Sequence, residues 1–319
     1  MLTVVLPNFN HSRFLPQAFE ALLAQVQPIG ELIVIDDASS DDSCAVIEQF
    51  LARFANAKFV RNQTNLGVVR NMNIGLQMAR GSAIAFSAAD DITYPWFLER
   101  TSALLRAHPS AALASGRTDI IDAQGNRLGA LDTPVPLKQP GYIDPQAAGR
   151  LLMHDEAWFT GNTSLFRRDV LVEIGGFPED LSAFTDSYIS RLLAVTRGAC
   201  YTPETLGAWR RLDEGLASST AEDIVSATRL AQLVARRMKE SGAPFAPGYP
   251  ERWTHRYLFG IHRLALAKAR QRARSLGLWR YASAVFREIV GTAWLFARFR
   301  PQDALPVLLR RLRAVCGLQ

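Results

Sequence analysis

The chain has 319 residues, 48% of them hydrophobic, with a formal net charge of +6 at pH 7. That length and apolar content exclude a disordered or fibrous chain and provide for one large domain with an appendage, or for two domains. Three widely spaced cysteines (Cys44, Cys200, Cys316) and five scattered histidines give neither a disulfide framework nor zinc-ligand spacing, so a reducing compartment is expected.

The opening residues, MLTVVLPNFN, lack the basic flank and cleavage site of a secretory signal, and the expected location is cytoplasmic. Apolar, β-rich runs predict strands over 2–7, 31–37, 57–62, 83–89 and 111–116. Helical patterns alternate with them near 13–25, 42–54, 68–80 and 95–107. This order predicts an α/β fold, a Rossmann-like mainly parallel sheet flanked by helices, with ligands at the carboxyl ends of the strands. Over 117–150, Gly125, Gly129, Pro134, Pro136, Pro140 and Gly141 read as one long connection. A strand with a short helix (161–177), an acidic turn leading into a helix (178–198) and a last strand-like run (200–211) complete a first domain, 1–212. Residues 213–319 read as a helical extension with breaks at Gly242–Pro250 and near Pro301.

Polar residues follow four successive strands. Strand one leads to Pro7, Asn8, Phe9 and Asn10, strand two to Asp36 and Asp37, strand three to Asn62 and Asn65, strand four to Asp90 and Asp91. Each cluster alone is ordinary turn chemistry, but repetition at one sheet edge points to a site. Asp90 and Asp91 close the apolar run AIAFSAA; burying unpaired charge is costly, so they either face water and cap the helix beginning near Pro95 or share a cation. No GxGxxG follows strand one and no GxxxxGK[ST] occurs, which excludes a dinucleotide fingerprint and a P-loop.

With these residues assembled, the chain resembles the family 2 glycosyltransferases of the GT-A fold. The resemblance rests on LTVVLPNFNHSRFLPQAFEALLAQ, ELIVIDDASSDDS, NLGVVRNMNIGLQMARG, FSAADDITYP and SLFRRDVLVEIGGFPED followed by FTDSY, and covers residues 1 to 211. It implies an inverting transfer from a nucleotide-diphosphate sugar to the hydroxyl of a glycan or lipid-linked glycan, with Mg²⁺ or Mn²⁺. Carried over residue by residue, it makes Asp37 the acceptor of hydrogen bonds from the nucleotide base. Pro7 and Phe9 line the same pocket, Asn10 and Asn65 complete the nucleotide-binding set, and Asp36 supports the turn. Asp90 then lies beside the ribose and diphosphate and is a second metal ligand to Asp91, the direct one. Asp186, in FTDSY, is the catalytic base, a helix N-terminal acid being the plainer alternative. Arg210, in WRR, closes over the diphosphate.

Two positions depart from the family pattern. Ala88 stands where many members have an Asp, and Thr185 where a Glu commonly precedes the base. They motivate a rival reading, a noncatalytic sugar-nucleotide-binding or scaffold protein at a membrane. A sugar-phosphate nucleotidylyltransferase would need a glycine-rich basic loop after strand one, and PNFNHSRF contains no glycine.

Charge is unevenly spread. Residues 1–249 carry 22 Lys+Arg against 27 Asp+Glu, a balance of −5, and residues 250–319 carry 14 against 3, a balance of +11. The apolar stretch 276–299 is interrupted by Arg280, Arg287, Glu288 and Arg298, so it is not a membrane span. At helical spacing the three arginines share one stripe, with Trp279, Phe286, Trp294 and Phe296 on the apolar side. Two readings stay open: packing on the catalytic domain, or peripheral contact with an anionic membrane through 276–315, which the basic segment DALPVLLRRLRAV favours. Aromatics segregated from the basic residues do not suit nucleic acid.

Overall fold

The computed structural model describes residues 1–212 and 224–274. In chain order the first half holds β1 (Leu2–Asn8), α1 (Leu15–Leu23), β2 (Glu31–Asp36), α2 (Ser43–Leu51), β3 (Ala57–Arg61), α3 (Val68–Met78), β4 (Ala83–Phe86), β5 (Ile92–Thr93) and α4 (Phe97–Ala107). There follow β6 (Leu113–Ile121), β7 (Arg127–Ala130), β8 (Gly141–Ile143), α5 (Pro145–His154), β9 (Ser164–Arg167), α6 (Arg168–Glu173), α7 (Thr185–Arg197), β10 (Ala199–Arg210), α8 (Ile224–Glu240) and α9 (Tyr249–Arg274).

The strands form one sheet ordered β3-β2-β1-β4-β9-β6-β10-β5, with β7 on β6 and β8 on β10. β1, β2, β3, β4, β6 and β10 run in one direction; β9, β5, β7 and β8 run against it. The central strands are apolar throughout because both faces are covered, as in ELIVID, where every residue is buried. On one face Val4, Leu6, Leu32, Val34 and Ala85 pack with Leu15 and Phe19 of α1, Ile47 of α2 and Leu98 of α4. Each such large side chain taken fully out of water contributes about 1.5–3 kcal/mol. The run carries an acid at each end, Glu31 and Asp36, both fully buried; Glu31 is held by Thr3 Oγ1 (2.8 Å), Lys58 Nζ (2.7 Å) and the Arg80 amide (2.8 Å).

Register decides where the loops meet. Asn8 pairs with Asp36, and Asp36 with Arg61, so β1, β2 and β3 end level and their loops open on one edge. β4 stops at Phe86, opposite Val5, and its continuation runs through a turn in which the Asp91 amide donates to the Ala88 carbonyl. The strand expected to reach residue 89 is thus three residues shorter, since a turn has to lift the two acids to the sheet edge.

The stretch 117–150, read as a loose connection, is largely structured. β6 continues through Asp119, whose carboxylate takes Arg127 in a fork (2.7 and 2.9 Å) and the Tyr94 hydroxyl (2.9 Å). A turn fastened by Asp122 returns the chain as β7, and Asp144 caps α5 by accepting from the Ala147 amide (2.8 Å). These partners lie outside local periodicity, so the polar strand looked like loop.

The chain forms two compact units, Met1–Gly215 with Leu233–Arg252, and Leu216–Gln232 with Trp253–Gln319. The second half of α8 and the first turn of α9 thus belong with the sheet. In the second unit, Trp253 stacks on Tyr257 (5.6 Å) and both Leu258 and Ile261 are buried. Among the described residues no helix is long and apolar enough to cross a membrane. The segment 276–315, with its two readings, lies outside the described residues.

Candidate active site

The loops after β1, β2 and β3 are laced together. Asp36 accepts from Asn8 Nδ2 (2.8 Å), the Ser39 amide (2.9 Å) and Ser39 Oγ (2.6 Å), which makes it a turn support. Asn10 takes a left-handed backbone (φ 56°) and its Oδ1 accepts from the Ser40 amide (2.8 Å). Asp37 is 3% exposed; its Oδ1 accepts from Asn62 Nδ2 and the Leu66 amide, its Oδ2 from the Gly67 amide, all at 2.8 Å. Burial works to raise the Asp37 pKa, but the Leu66, Asn62, Asn71 and Gly67 donors outweigh it and hold the carboxyl below its ordinary range. Gly67 reaches Asp37 with φ 87°, a conformation that favours glycine. Asn65 is exposed and accepts from the Gly67 amide (3.1 Å). Phe9, 44% exposed, and half-buried Pro7 stand at the mouth of the same edge. Oδ2 of Asp37 keeps capacity for a further donor.

The acid pair is differently supplied. Asp91 is 5% exposed and its Oδ1 accepts one hydrogen bond, from the Arg210 amide (2.8 Å). Burial first, then the neighbouring Asp90 charge, push its pKa up to about 8 against the opposing Arg210 and the Asn162 amide. Asp90 is half-buried with His11 Nδ1 at 3.8 Å.

Arg210 corrects one expectation. It is 2% exposed, and its guanidinium donates to the carbonyls of Asp90 (2.6 Å), Asp122 (2.9 Å) and Ala123 (3.2 Å) and to Gln17 Oε1 (2.5 Å). Its plane also lies over Phe14 at 4.7 Å. With these four hydrogen bonds made inside the protein, Arg210 braces the Asp90–Asp91 turn, where the expectation had it closing over a diphosphate. Arg211, next in sequence, is exposed.

Asp186 begins α7. Its Oδ1 accepts from the Ser187 amide (2.7 Å), and burial raises its pKa above the ordinary value against the pull of that amide and of Arg191. Gly161, in the turn Gly161–Thr163 before β9, lies so close that an added Cβ would stand 2.7 Å from Asp186 Oδ2. The next residue, Asn162, accepts from Thr118 Oγ1 (3.4 Å), and its Nδ2 is buried without a hydrogen-bond partner. This turn therefore has the Asp186 carboxylate against its glycine and the Asp91 carboxyl within the influence of its asparagine.

Sequence patterns left Gly161, Asn162, His11 and Gln17 unassigned to the site. A Gly-Asn-Thr turn ahead of a strand was the available signal, but its meaning depends on a strand inserted between β4 and β6. The non-glycine residues with positive φ among the described residues are Asn10, Ala38, Glu156 and Ser182. The first two follow β1 and β2 and the others flank the Gly161 turn and the start of α7, and such strain persists where surroundings over-determine it.

The residues suit a divalent cation. Two adjacent carboxylates, one buried and short of donors, supply hard oxygen ligands whose mutual repulsion a cation relieves. Among the described residues, no group of three or more His, Cys, Asp or Glu side chains could hold a metal ion by itself, so phosphate oxygens would have to complete its coordination.

The chain is similar to known proteins. An uncharacterized glycosyltransferase of a Nostoc species, alr2836, is 29% identical over 181 residues, 56% of this chain and 54% of its own. The chain thus spans about half of that relative. TarS of S. aureus (residues 1–349, with UDP-GlcNAc) superposes with TM-score 0.64 at 16% identity, over 98% of this chain and 91% of that one. The mannosyltransferase PcManGT of Pyrobaculum calidifontis, with GDP-Man and Mn²⁺, gives 0.60 at 19% identity over 99% and 86%. These two likenesses show the fold. The family model Glycosyl transferase family 2 matches residues 3–175, from β1 through the Gly161 turn to the glycine pair after α6, and the chain belongs to that glycosyltransferase family.

Proposed function

We propose that the protein moves a sugar, with inversion, from a nucleotide-diphosphate sugar to a hydroxyl of a glycan or lipid-linked glycan. The observation that carries this reading is the Gly161–Thr163 turn, which adjoins the Asp186 carboxylate on one side and the buried Asp91 on the other. A base for the acceptor and an acid pair for the leaving group thus share one turn.

The donor nucleotide binds along the edge formed by Pro7, Phe9, Asn10, Asp37 and Asn65. That structural neighbours hold UDP-GlcNAc and GDP-Man supports a nucleotide sugar as donor. Asp91, with Asp90, would hold Mg²⁺ or Mn²⁺, which when bound stabilises negative charge on the departing nucleoside diphosphate. Mn²⁺ in the Pyrobaculum enzyme supports that choice. Asp186 has its Oδ1 engaged by Ser187, so Oδ2 is the oxygen that takes the acceptor proton as the hydroxyl attacks the anomeric carbon. Burial makes it a stronger base for this task. A single displacement of this kind inverts the anomeric centre. The basic balance of 250–319 supports a place at the inner face of the cell membrane, where lipid-linked acceptors are found.

The test is a thermal-shift series with UDP, GDP and dTDP, with and without Mn²⁺, followed by sugar transfer. Asp91→Asn should remove the Mn²⁺-dependent part of the shift. Asp186→Asn should keep the shift and lose about 10²–10⁴ of transfer. A protein that binds a nucleotide sugar and neither hydrolyses nor transfers it would instead be the noncatalytic scaffold.

A further inference from the structure

Behind Asp186 lies a buried charged cluster that the reaction as described does not use. Arg191, 7% exposed, sits in the second turn of α7. Its Nη1 donates to the Ser187 carbonyl (2.8 Å) and to Ser187 Oγ, the residue whose amide holds Asp186 Oδ1. Its Nη2 donates to Glu156 Oε1 (2.7 Å) and its Nε to the Tyr249 hydroxyl (2.9 Å). Tyr249, 1% exposed, closes the ring by donating to the same Glu156 oxygen (3.1 Å).

The three residues come from separate places: Glu156 from the segment that leads into the Gly161 turn, Arg191 from the catalytic helix, Tyr249 from the first residue of α9. Glu156 is one of the few non-glycine residues with positive φ (78°), a backbone that its doubly bound carboxylate fixes. One guanidinium therefore ties Ser187, the residue after Asp186, to Glu156, in the segment that leads into the Gly161 turn.

Resting on the reading of Asp186 as the base, we propose that Arg191, locked by Glu156 and Tyr249, is the positioning residue that sets both the place and the charge environment of Asp186. Tyr249 makes the C-terminal part of the chain a component of the catalytic site. The titratable groups facing Arg191 include Glu156 and Tyr249, and Arg191 is a charge that acts on Asp186. Glu156 draws on the same guanidinium, so the two carboxylates compete for one positive charge.

That competition gives opposite signs to two substitutions. Glu156→Gln removes a competing negative charge from Arg191, and the acid limb of the kcat/KM profile should move to lower pH by about one unit. Arg191→Gln removes the cation and should move the limb to higher pH by a similar amount. Tyr249→Phe should lower kcat about fivefold with donor affinity unchanged. If Arg191→Gln fails to fold in a melting curve, the other two variants decide. A limb that stays in place in Glu156→Gln, that moves the same way in both charge variants, or a kcat untouched in Tyr249→Phe overturns the proposal. Transfer that survives in Asp186→Asn would instead overturn the assignment of the base, whatever the limbs do.

Discussion

The two halves of the sheet edge treat their acids in opposite ways. After β2, Asp37 is given three short hydrogen bonds and is held below the ordinary carboxylate range. After β4 and at the start of α7, Asp91 and Asp186 take fewer donors than Asp37 and are held above that range. All three are carboxylates at loop ends, but Asp91 and Asp186 are more completely desolvated than Asp37 and are given fewer donors, and both differences act in the same direction. A desolvated carboxylate short of donors is a candidate for a partner that arrives with the substrate. The well-supplied loops form a frame, and the under-supplied acids are where the proposed chemistry would enter.

Removing the brace between the halves should have the largest effect. Arg210→Gln strips a buried guanidinium from three carbonyls and from Gln17, and leaves those oxygens unpaired. A loss of about 3–5 kcal/mol in urea unfolding is expected, together with weaker Mn²⁺-dependent nucleotide binding as the acid turn loosens. A variant of full stability that has lost nucleotide binding would mean that Arg210 reaches the diphosphate after all.

Asp37→Asn tests the frame more gently. An amide cannot accept at both ends, so one of the Asn62, Leu66 and Gly67 donors is orphaned, at about 1–3 kcal/mol. Because the folded pKa of Asp37 is depressed, its contribution is present above the ordinary carboxyl pKa of 3.8 and lost as pH falls below it. The gap between wild type and variant in thermal melts should therefore narrow in strong acid; a gap that is constant down to low pH would show that the charge is not what matters.

Gly161→Ala is the mildest intervention and the most local. The added methyl would meet the far end of the Asp186 side chain, so the carboxylate moves and the fold is kept. About a tenfold fall in kcat is expected, with unchanged melting temperature and donor affinity. Unaltered turnover would separate Asp186 from the turn that links it to the acid pair.

Much of the frame was legible. Continuous apolar strands such as LTVVL and ELIVID and the alternating helices specify a parallel sheet by period and length alone. The polar residues at the strand ends mark one edge as the candidate site, and the register places the loops after β1, β2 and β3 together on that edge. The structured stretch 117–150 was not legible, since β6 carries Asp119 at a strand position satisfied by Tyr94 and Arg127. Nor was the true place of Arg210. An arginine at a strand end reads as solvated until the Asp90 and Asp122 carbonyls and Gln17, up to 193 residues away, are brought around it.

The sequence by itself determined the fold class and the family resemblance and nominated the paired acids and Asp186 as candidates, since these depend on residue type and on spacing within single elements. The tertiary structure decided which carboxylates are fed with donors and which are starved, that a lone glycine meets the Asp186 carboxylate, and that Glu156, Arg191 and Tyr249 close one ring. Those outcomes depend on strand insertion and register, which bring distant amides and carbonyls together and which no local pattern encodes.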